Sequence, residues 1–155
     1  MLALARQAAG DSEGAAEAFR ALAASGASAG EYAELAQFGL ATALFRAGKH
    51  KEAAHEIGKF IDTFPSSDRR DAASVYLARA LLETGQPAPA AKMLQELRAS
   101  TTAGDEASLW LARIFERHGK HRSAANVLSA ALKDFPGSAL HEDIELELAS
   151  AQLGD

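Results

Sequence analysis

The sequence predicts an all-α fold, a right-handed solenoid of antiparallel helical hairpins, from its composition and from a motif that returns along the chain. Alanine supplies 37 of the 155 residues, whereas only two valines and four isoleucines occur, and this balance favours helix over sheet. The stretch AGKHKEAAHEIGKFIDTFP at 47–65 returns as HGKHRSAANVLSAALKDFP at 118–136, which is 71 residues later. A repeated motif of this kind indicates stacked helical hairpins.

One glycine in each copy of the motif sets the period. The series, whose steps are 38, 37, 34 and 35 residues, is Gly10, Gly48, Gly85, Gly119 and Gly154. Each glycine lies between two helical patterns, where a left-handed backbone costs least for a residue without a Cβ. We therefore predict a turn between two helices at each of them.

The second helix of each hairpin carries a small residue followed by a pair of apolar residues. Alanine stands five residues after the glycine in four copies, namely Ala15, Ala53, Ala90 and Ala124. The apolar pairs, nine and twelve residues after the glycine, are Phe19 and Leu22, Ile57 and Phe60, Leu94 and Leu97, and Leu128 and Ala131. Because these positions share one helical face, we predict that the alanines let the paired helices approach closely and that the apolar pairs form the core.

The first helix and the helix ends also follow the repeat. Leucine stands eight residues before the glycine in all five copies, at Leu2, Leu40, Leu77, Leu111 and Leu146. Pro65 and Pro136 are expected to end the second helix in two copies. Ser67 and Ser138 offer caps for the helices that follow. In the third copy, Pro87 suits a first helical turn, and Pro89 predicts a shifted helix start.

This spacing resembles the tetratricopeptide repeat family over nearly the whole chain. The tryptophan common in that family is missing, and Gln37, Ser74 and Ser108 stand in its place. The segments Phe-Pro-Ser-Ser-Asp and Phe-Pro-Gly-Ser are similar to the repeat ends of bacterial cell-envelope members such as the outer-membrane assembly lipoproteins and the Tol-Pal coordinator. The resemblance implies a protein-interaction scaffold of the bacterial cytoplasm, or of the periplasm if a signal sequence lies outside this segment.

The repeat also predicts the domain organisation. We expect a single solenoid domain over 1–155, a fragment of a longer protein, with approximate units 1–30, 31–67, 68–103 and 104–137 and a terminal helix at 138–155. The terminal helix either caps the solenoid or leaves an apolar face for a neighbour.

Composition and motifs argue against several classes of function. Sixteen Lys and Arg against 21 Asp and Glu give a net charge of −5, which argues against a nucleic-acid binder. No apolar run approaches the roughly 20 residues of a membrane span, so we expect no membrane insertion. The chain has no cysteine, and its histidines lack the neighbours that would complete a metal site. We predict no cofactor, no metal and no enzymatic activity.

The expected binding surface is a concave groove lined by the first helices. Ten, six, three and two residues before each glycine, the second, third and fourth copies contribute Phe38, Thr42, Phe45 and Arg46, then Val75, Arg79, Leu82 and Glu83, then Leu109, Arg113, Glu116 and Arg117. Apolar anchors mixed with equivalent arginines suit an extended or helical peptide that carries carboxylates.

Two alternatives remain open from the sequence. Arg79 and Arg113 could instead be solvated arginines paired with Glu83 and Glu116, and Tyr76 and Trp110 could be either core residues or partner contacts. The protein could also associate with itself, because 134–155 holds six acidic residues and no Lys or Arg. This acidic end would dock on a basic patch of another chain that comprises Arg113, Arg117, Lys120 and Arg122.

Overall fold

The computed structural model describes residues 2–24 and 32–154, which form nine α-helices and no strand. The residues fall into two compact units, 1–86 and 87–155. The predicted boundary between the first two repeats, at residues 30 and 31, lies outside the described residues. Within the described ranges, every helix falls short of the length and apolarity that a membrane span requires.

Unit 1 contains five helices that pack in chain order. They are α1 (Leu2–Ala8), α2 (Ser12–Ala24), α3 (Ala33–Arg46), α4 (His50–Thr63) and α5 (Arg70–Glu83). Each contacts the next, and α3 also contacts α5. The core between them is built on Phe19, Leu44, Ile57 and Phe60, which are fully buried.

Unit 2 contains four helices with the same sequential packing. They are α6 (Pro87–Leu97), α7 (Gly104–Arg117), α8 (His121–Asp134) and α9 (His141–Leu153). A core cluster joins Leu109 of α7, Leu128 of α8, and Ile144 and Ala151 of α9. The unit is therefore a run of antiparallel helices in which α8 lies between α7 and α9.

Four of the five repeat glycines form the predicted turns. Gly10, Gly48, Gly85 and Gly119 have φ between 67° and 79°, the left-handed region that favours glycine. At each, the glycine N–H and the next N–H reach back to the last turn of the helix in the Schellman pattern. The prediction is wrong for Gly154, whose φ is −84°. There a Cβ would lie 2.8 Å from the ring of His121, so the glycine allows close packing.

The repeat alanines lie where the sequence predicts. Ala15, Ala53, Ala90 and Ala124 are all 0% exposed. A larger side chain at these positions would push the paired helices apart, because protein interiors are close-packed. The predicted close approach of the helices is confirmed.

The proline predictions are confirmed in part. The helices α4 and α8 end at Thr63 and Asp134, two residues before Pro65 and Pro136. However, α6 starts at Pro87, two residues after its glycine, as the other second helices do, so the predicted shift is wrong. Pro89 is tolerated at this position because the first N–H groups of a helix have no partner within it.

Two serines that the sequence assigned to helix caps instead form hydrogen bonds to an acidic residue at the start of a first helix. Ser67 accepts a hydrogen bond from the N–H of Arg69 and donates its own to Glu34 at the start of α3, at 2.7 Å. Ser138 repeats this arrangement in unit 2, where its hydroxyl donates to Asp105 at 2.5 Å. The helix-cap residues themselves, Arg69 and Leu140, make no side-chain cap bond.

We expect Gly39→Ala to destabilise the protein by about 1–3 kcal/mol, because a Cβ there would lie 2.5 Å from the buried ring of Phe19. Gly58→Ala is the matched control, since a Cβ at Gly58 of α4 meets nothing within 4 Å. The control should gain about 0.5–1 kcal/mol from helix propensity. Urea unfolding followed by circular dichroism measures both changes. Equal gains in the two variants would contradict the close contact between α2 and α3.

Glu34 should contribute stability that is lost in acid. The hydrogen bond from Ser67, followed by that from Arg69, holds the pKa of the Glu34 carboxyl below its ordinary value of 4.5. Its contribution is therefore present above pH 4.5 and is lost as the pH falls through the lowered pKa. The difference in unfolding free energy between wild type and Glu34→Gln should therefore become smaller as the pH falls below 4.5.

An NMR titration of the Glu34 carboxyl tests the cause of this lowered pKa. Ser67→Ala removes the hydroxyl that stabilises the charged carboxylate, so the pKa of Glu34 should rise towards its ordinary value. A pKa of Glu34 that stays the same in Ser67→Ala would contradict the hydrogen bond between Ser67 and Glu34.

Candidate functional site

Unit 1 brings the predicted residues of α3 and α5 onto two helices in contact. Thr42 and Val75 are buried, and the Thr42 hydroxyl donates to the carbonyl of Phe38 at 3.0 Å. Of the remaining six predicted residues on these two helices, Arg46 and Glu83 are exposed. The other four, Phe38, Phe45, Arg79 and Leu82, are half-buried. The surface open to a partner is therefore narrower than the predicted stripe.

An arginine over two aromatic rings forms the centre of this surface. The guanidinium of Arg79 lies 4.8 Å from the ring centre of Phe45 and 5.3 Å from that of Tyr76. The two rings contact each other edge to face at 5.4 Å, and Phe38 contacts Tyr76 at 6.4 Å. Such contacts attract the cation to the ring faces and restrict its side chain. We name Phe38, Phe45, Tyr76 and Arg79 the arginine–aromatic cluster.

Helix geometry explains why the cluster forms. Arg79 follows Tyr76 by three residues on α5, so both side chains lie on one face of that helix. Phe45 comes from α3, which packs beside α5. The rings of Phe45 and His50 also contact each other edge to face, with their centres 5.0 Å apart.

Unit 2 repeats the stacking but adds a carboxylate. Arg113 of α7 lies 4.9 Å from the ring centre of Trp110, three residues earlier on the same helix. Its Nε donates to the Glu147 carboxylate of α9 at 2.8 Å. Leu109 is buried, and Arg117 is exposed. The arginine is thus held by a ring on its own helix and by an acid on a neighbouring helix.

The expected pairing of Arg113 with Glu116 is wrong. Glu116 instead pairs with His121 at 2.9 Å, and Arg113 pairs with Glu147, 34 residues further along the chain. This spacing equals one repeat period. The period could have pointed to this ion pair, but it was not used to pair charged residues. The acidic end of the chain therefore meets Arg113 within the same molecule.

The histidines make ordinary polar and ring contacts. His118 Nδ1 lies 2.8 Å from the carbonyl of Ile114, so this nitrogen donates. His141 lies 3.5 Å from Glu145. Over the described residues, no group of three His, Cys, Asp or Glu side chains could hold a metal ion.

An apolar cavity of about 190 Å³ lies between α6 and α7 in unit 2. Its lining consists of Pro87, Ala88, Ala91, Ile114, Phe115, His118 and Lys120. Cavities that hold small molecules usually measure about 300–1,000 Å³, so this one suits a single side chain better than a substrate.

Comparison with known families supports the repeat. A tetratricopeptide repeat-like domain model matches residues 2–103, and a tetratricopeptide repeat model matches residues 75–139. No curated protein matches the sequence.

Two solved structures are similar to the chain over 99% of its length. One is a kinesin light chain-like protein of Podosopora anserina with nearly identical TPR-like repeats, 20% identical, with a TM-score of 0.75 over 83% of that chain. The other is MamA protein, 17% identical, with a TM-score of 0.68 over 87% of that chain. At such identities the likeness shows the fold alone, and it confirms the predicted all-α solenoid of helical repeats. The bacterial cell-envelope resemblance is not confirmed.

A double-mutant cycle of Arg113→Ala and Glu147→Ala should give a coupling of about 0.5–1 kcal/mol, because both side chains are only about one third exposed. The control pair is Arg20 and Glu52, which lie 3.7 Å apart and are both more than half exposed. Its coupling should be close to zero. Urea unfolding of the seven proteins, namely wild type, four single mutants and two double mutants, measures both values. A larger coupling in the control pair would contradict the assigned role of Glu147.

Proposed function

Since the chain belongs to the tetratricopeptide repeat family, we propose that it is a non-enzymatic interaction module that holds a peptide or partner helix against its first helices. The fold is a scaffold of the kind that serves protein–protein interaction. The finer proposal concerns the ligand, which we take to carry a carboxylate beside apolar side chains. Its contact site in unit 1 is the arginine–aromatic cluster.

The arrangement of Arg113 in unit 2 supports a carboxylate ligand at Arg79. Both arginines stand six residues before their glycines and lie over an aromatic ring three residues earlier. In unit 2 the arginine holds a carboxylate at 2.8 Å. The chain therefore contains an example of the proposed chemistry, because a guanidinium fixed by a ring can direct its N–H groups to an acid.

The rings beside Arg79 supply the apolar part of the proposed contact. Phe38 and Phe45 are half-buried and packed against other rings, so their positions are set before a ligand binds. Fixed aromatic side chains lose little conformational entropy on binding and often dominate an interface. Leu82 extends this apolar surface by one turn of α5.

The cations close to the cluster, and not the net charge of unit 1, would attract an acidic ligand. Residues 1–86 hold nine Lys and Arg against eleven Asp and Glu, a net charge of −2. Arg46 is exposed at the edge of the same surface as Arg79. Attraction of an anionic peptide to this surface would therefore be local to these two arginines.

Selection of a phage-displayed random peptide library on the immobilised chain tests this proposal. Recovered peptides should carry Asp or Glu beside apolar residues, and Arg79→Ala should weaken their binding about tenfold or more in calorimetric titration. Arg79→Lys keeps the charge but not the planar fork, so it should fall between wild type and Arg79→Ala.

The matched control is Arg20→Ala on the second helix α2, which should bind the selected peptides as wild type does. Circular dichroism should show the same helicity in all variants. Equal peptide affinity in wild type and Arg79→Ala would exclude the arginine–aromatic cluster as the site.

A further inference from the structure

The cavity between α6 and α7 in unit 2 combines an apolar lining with two basic side chains. Its apolar lining residues are Pro87, Ala88, Ala91, Ile114 and Phe115. Two basic residues in the turn that follows α7, His118 and Lys120, complete the lining. Both are exposed, so a group held in the cavity would lie beside them at the surface. We name this space the α6–α7 cavity.

The equivalent place in unit 1 is polar, because the residues at the start of its second helix are larger. Two and three residues after their glycines, α4 carries His50 and Lys51, whereas α6 carries Pro87 and Ala88. A cavity at the start of α4 is accordingly lined by His50 and Lys51 together with Thr84, which ends α5. The short side chains of Pro87 and Ala88 leave an apolar space in unit 2 instead.

The first two hairpins show what the lysine of this turn can bind. Lys49 and Lys120 both stand one residue after their repeat glycines. The Nζ of Lys49 lies 3.1 Å from Oε1 of Glu13 on α2. Glu13 and Ala88 both stand three residues after the glycine of the preceding hairpin. The carboxylate that pairs with the lysine in unit 1 is therefore a methyl group in unit 2.

The surroundings of Lys120 are positively charged. Among the described residues, no acidic side chain pairs with its ammonium group. Residues 117–133 contain four Lys and Arg and no Asp or Glu, and residues 87–95 contain Lys92 and no acid. Glu116, at the end of α7, pairs with His121 at 2.9 Å. A carboxylate beside the α6–α7 cavity would thus meet cations without competition from a neighbouring acid.

We propose that the α6–α7 cavity binds a peptide through one large apolar side chain, such as Leu or Phe, with the carboxylate of an adjacent Asp or Glu at Lys120. The volume of about 190 Å³ suits a single side chain, and the apolar lining would remove that side chain from water. The ammonium of Lys120 would take the place in the ion pair that Lys49 takes with Glu13. This site lies wholly in unit 2 and does not rest on the proposed contact at the arginine–aromatic cluster.

Two capped hexapeptides of Gly and Ser, with Leu-Glu or Glu-Leu at the centre, are suitable probes because their ends carry no charge. In an NMR titration of the isotopically labelled chain, at least one of them should shift the amide resonances of Ala88, Ile114 and Lys120 in a saturable way. A site of this size should give a dissociation constant on the order of 1 mM. Peptides with Ala for Leu, or Gln for Glu, should bind at least about fivefold more weakly.

Variants of Lys120 and Ala88 test the carboxylate contact. Lys120→Ala removes the ammonium group and should weaken binding of the probe at least about fivefold. Ala88→Glu supplies a carboxylate from within the chain, at the repeat position of Glu13, and should weaken binding by a similar factor. Ala88→Gln has the same size without the charge, so it should weaken binding less. Added salt should reduce the effect of Lys120→Ala.

Matched controls separate the α6–α7 cavity from other sites. Lys49→Ala changes the equivalent lysine of unit 1 and should leave the shifts of Ala88, Ile114 and Lys120 as they are in wild type. Arg79→Ala should also leave them unchanged. Circular dichroism should show the same helicity in all variants, because Ala88 and Lys120 are exposed.

Three results would overturn the proposal. The first is the absence of saturable shifts at Ala88, Ile114 and Lys120 with both hexapeptides. The second is equal binding of the probe to wild type, Lys120→Ala and Ala88→Glu. The third is saturable shifts confined to unit 1 and lost in Arg79→Ala, which would assign the probes to the arginine–aromatic cluster.

Discussion

The structure depends on how closely paired helices can approach each other. Alanine five residues after four of the repeat glycines is completely buried, and Gly39 lets the ring of Phe19 lie against the backbone of α3. At such short distances, dispersion contacts accumulate along both helices, and any added carbon must displace a neighbour. The close approach also fixes the spacing of α3 and α5, and therefore the position of the rings beneath Arg79.

Local features of the fold could be predicted from the sequence because a single residue decides each of them. A positive φ needs only a glycine between two helical patterns, and a helix end needs only a proline two residues later. Gly154 and Pro89 show the limit of this reasoning. Gly154 packs closely against the ring of His121 instead of forming a left-handed turn. Pro89 is tolerated because the first N–H groups of a helix have no partner within the helix.

The side-chain partners could not be predicted in the same way. Glu34 with Ser67, and Arg113 with Glu147, join residues that are 33 and 34 positions apart. The period shows that such residues lie in equivalent places of adjacent hairpins, but the contact depends on the length and direction of both side chains. Burial was also missed in part. Thr42, Val75 and Leu109 lie on the predicted stripe, yet neighbouring elements cover them.

The equivalent arginines show which features of a repeat position recur from one hairpin to the next. Arg79 and Arg113 share their helix position and their stacking on a ring, so the backbone and the aromatic residue set the direction of both guanidinium groups. In unit 2, α9 also provides Glu147 to Arg113. Glu147 thus lies on a side of α9 that reaches α7, whereas Leu146 and Leu153 of the same helix are exposed. The repeat therefore sets where an arginine lies on its helix, and the side chains of the next hairpin decide what that arginine contacts.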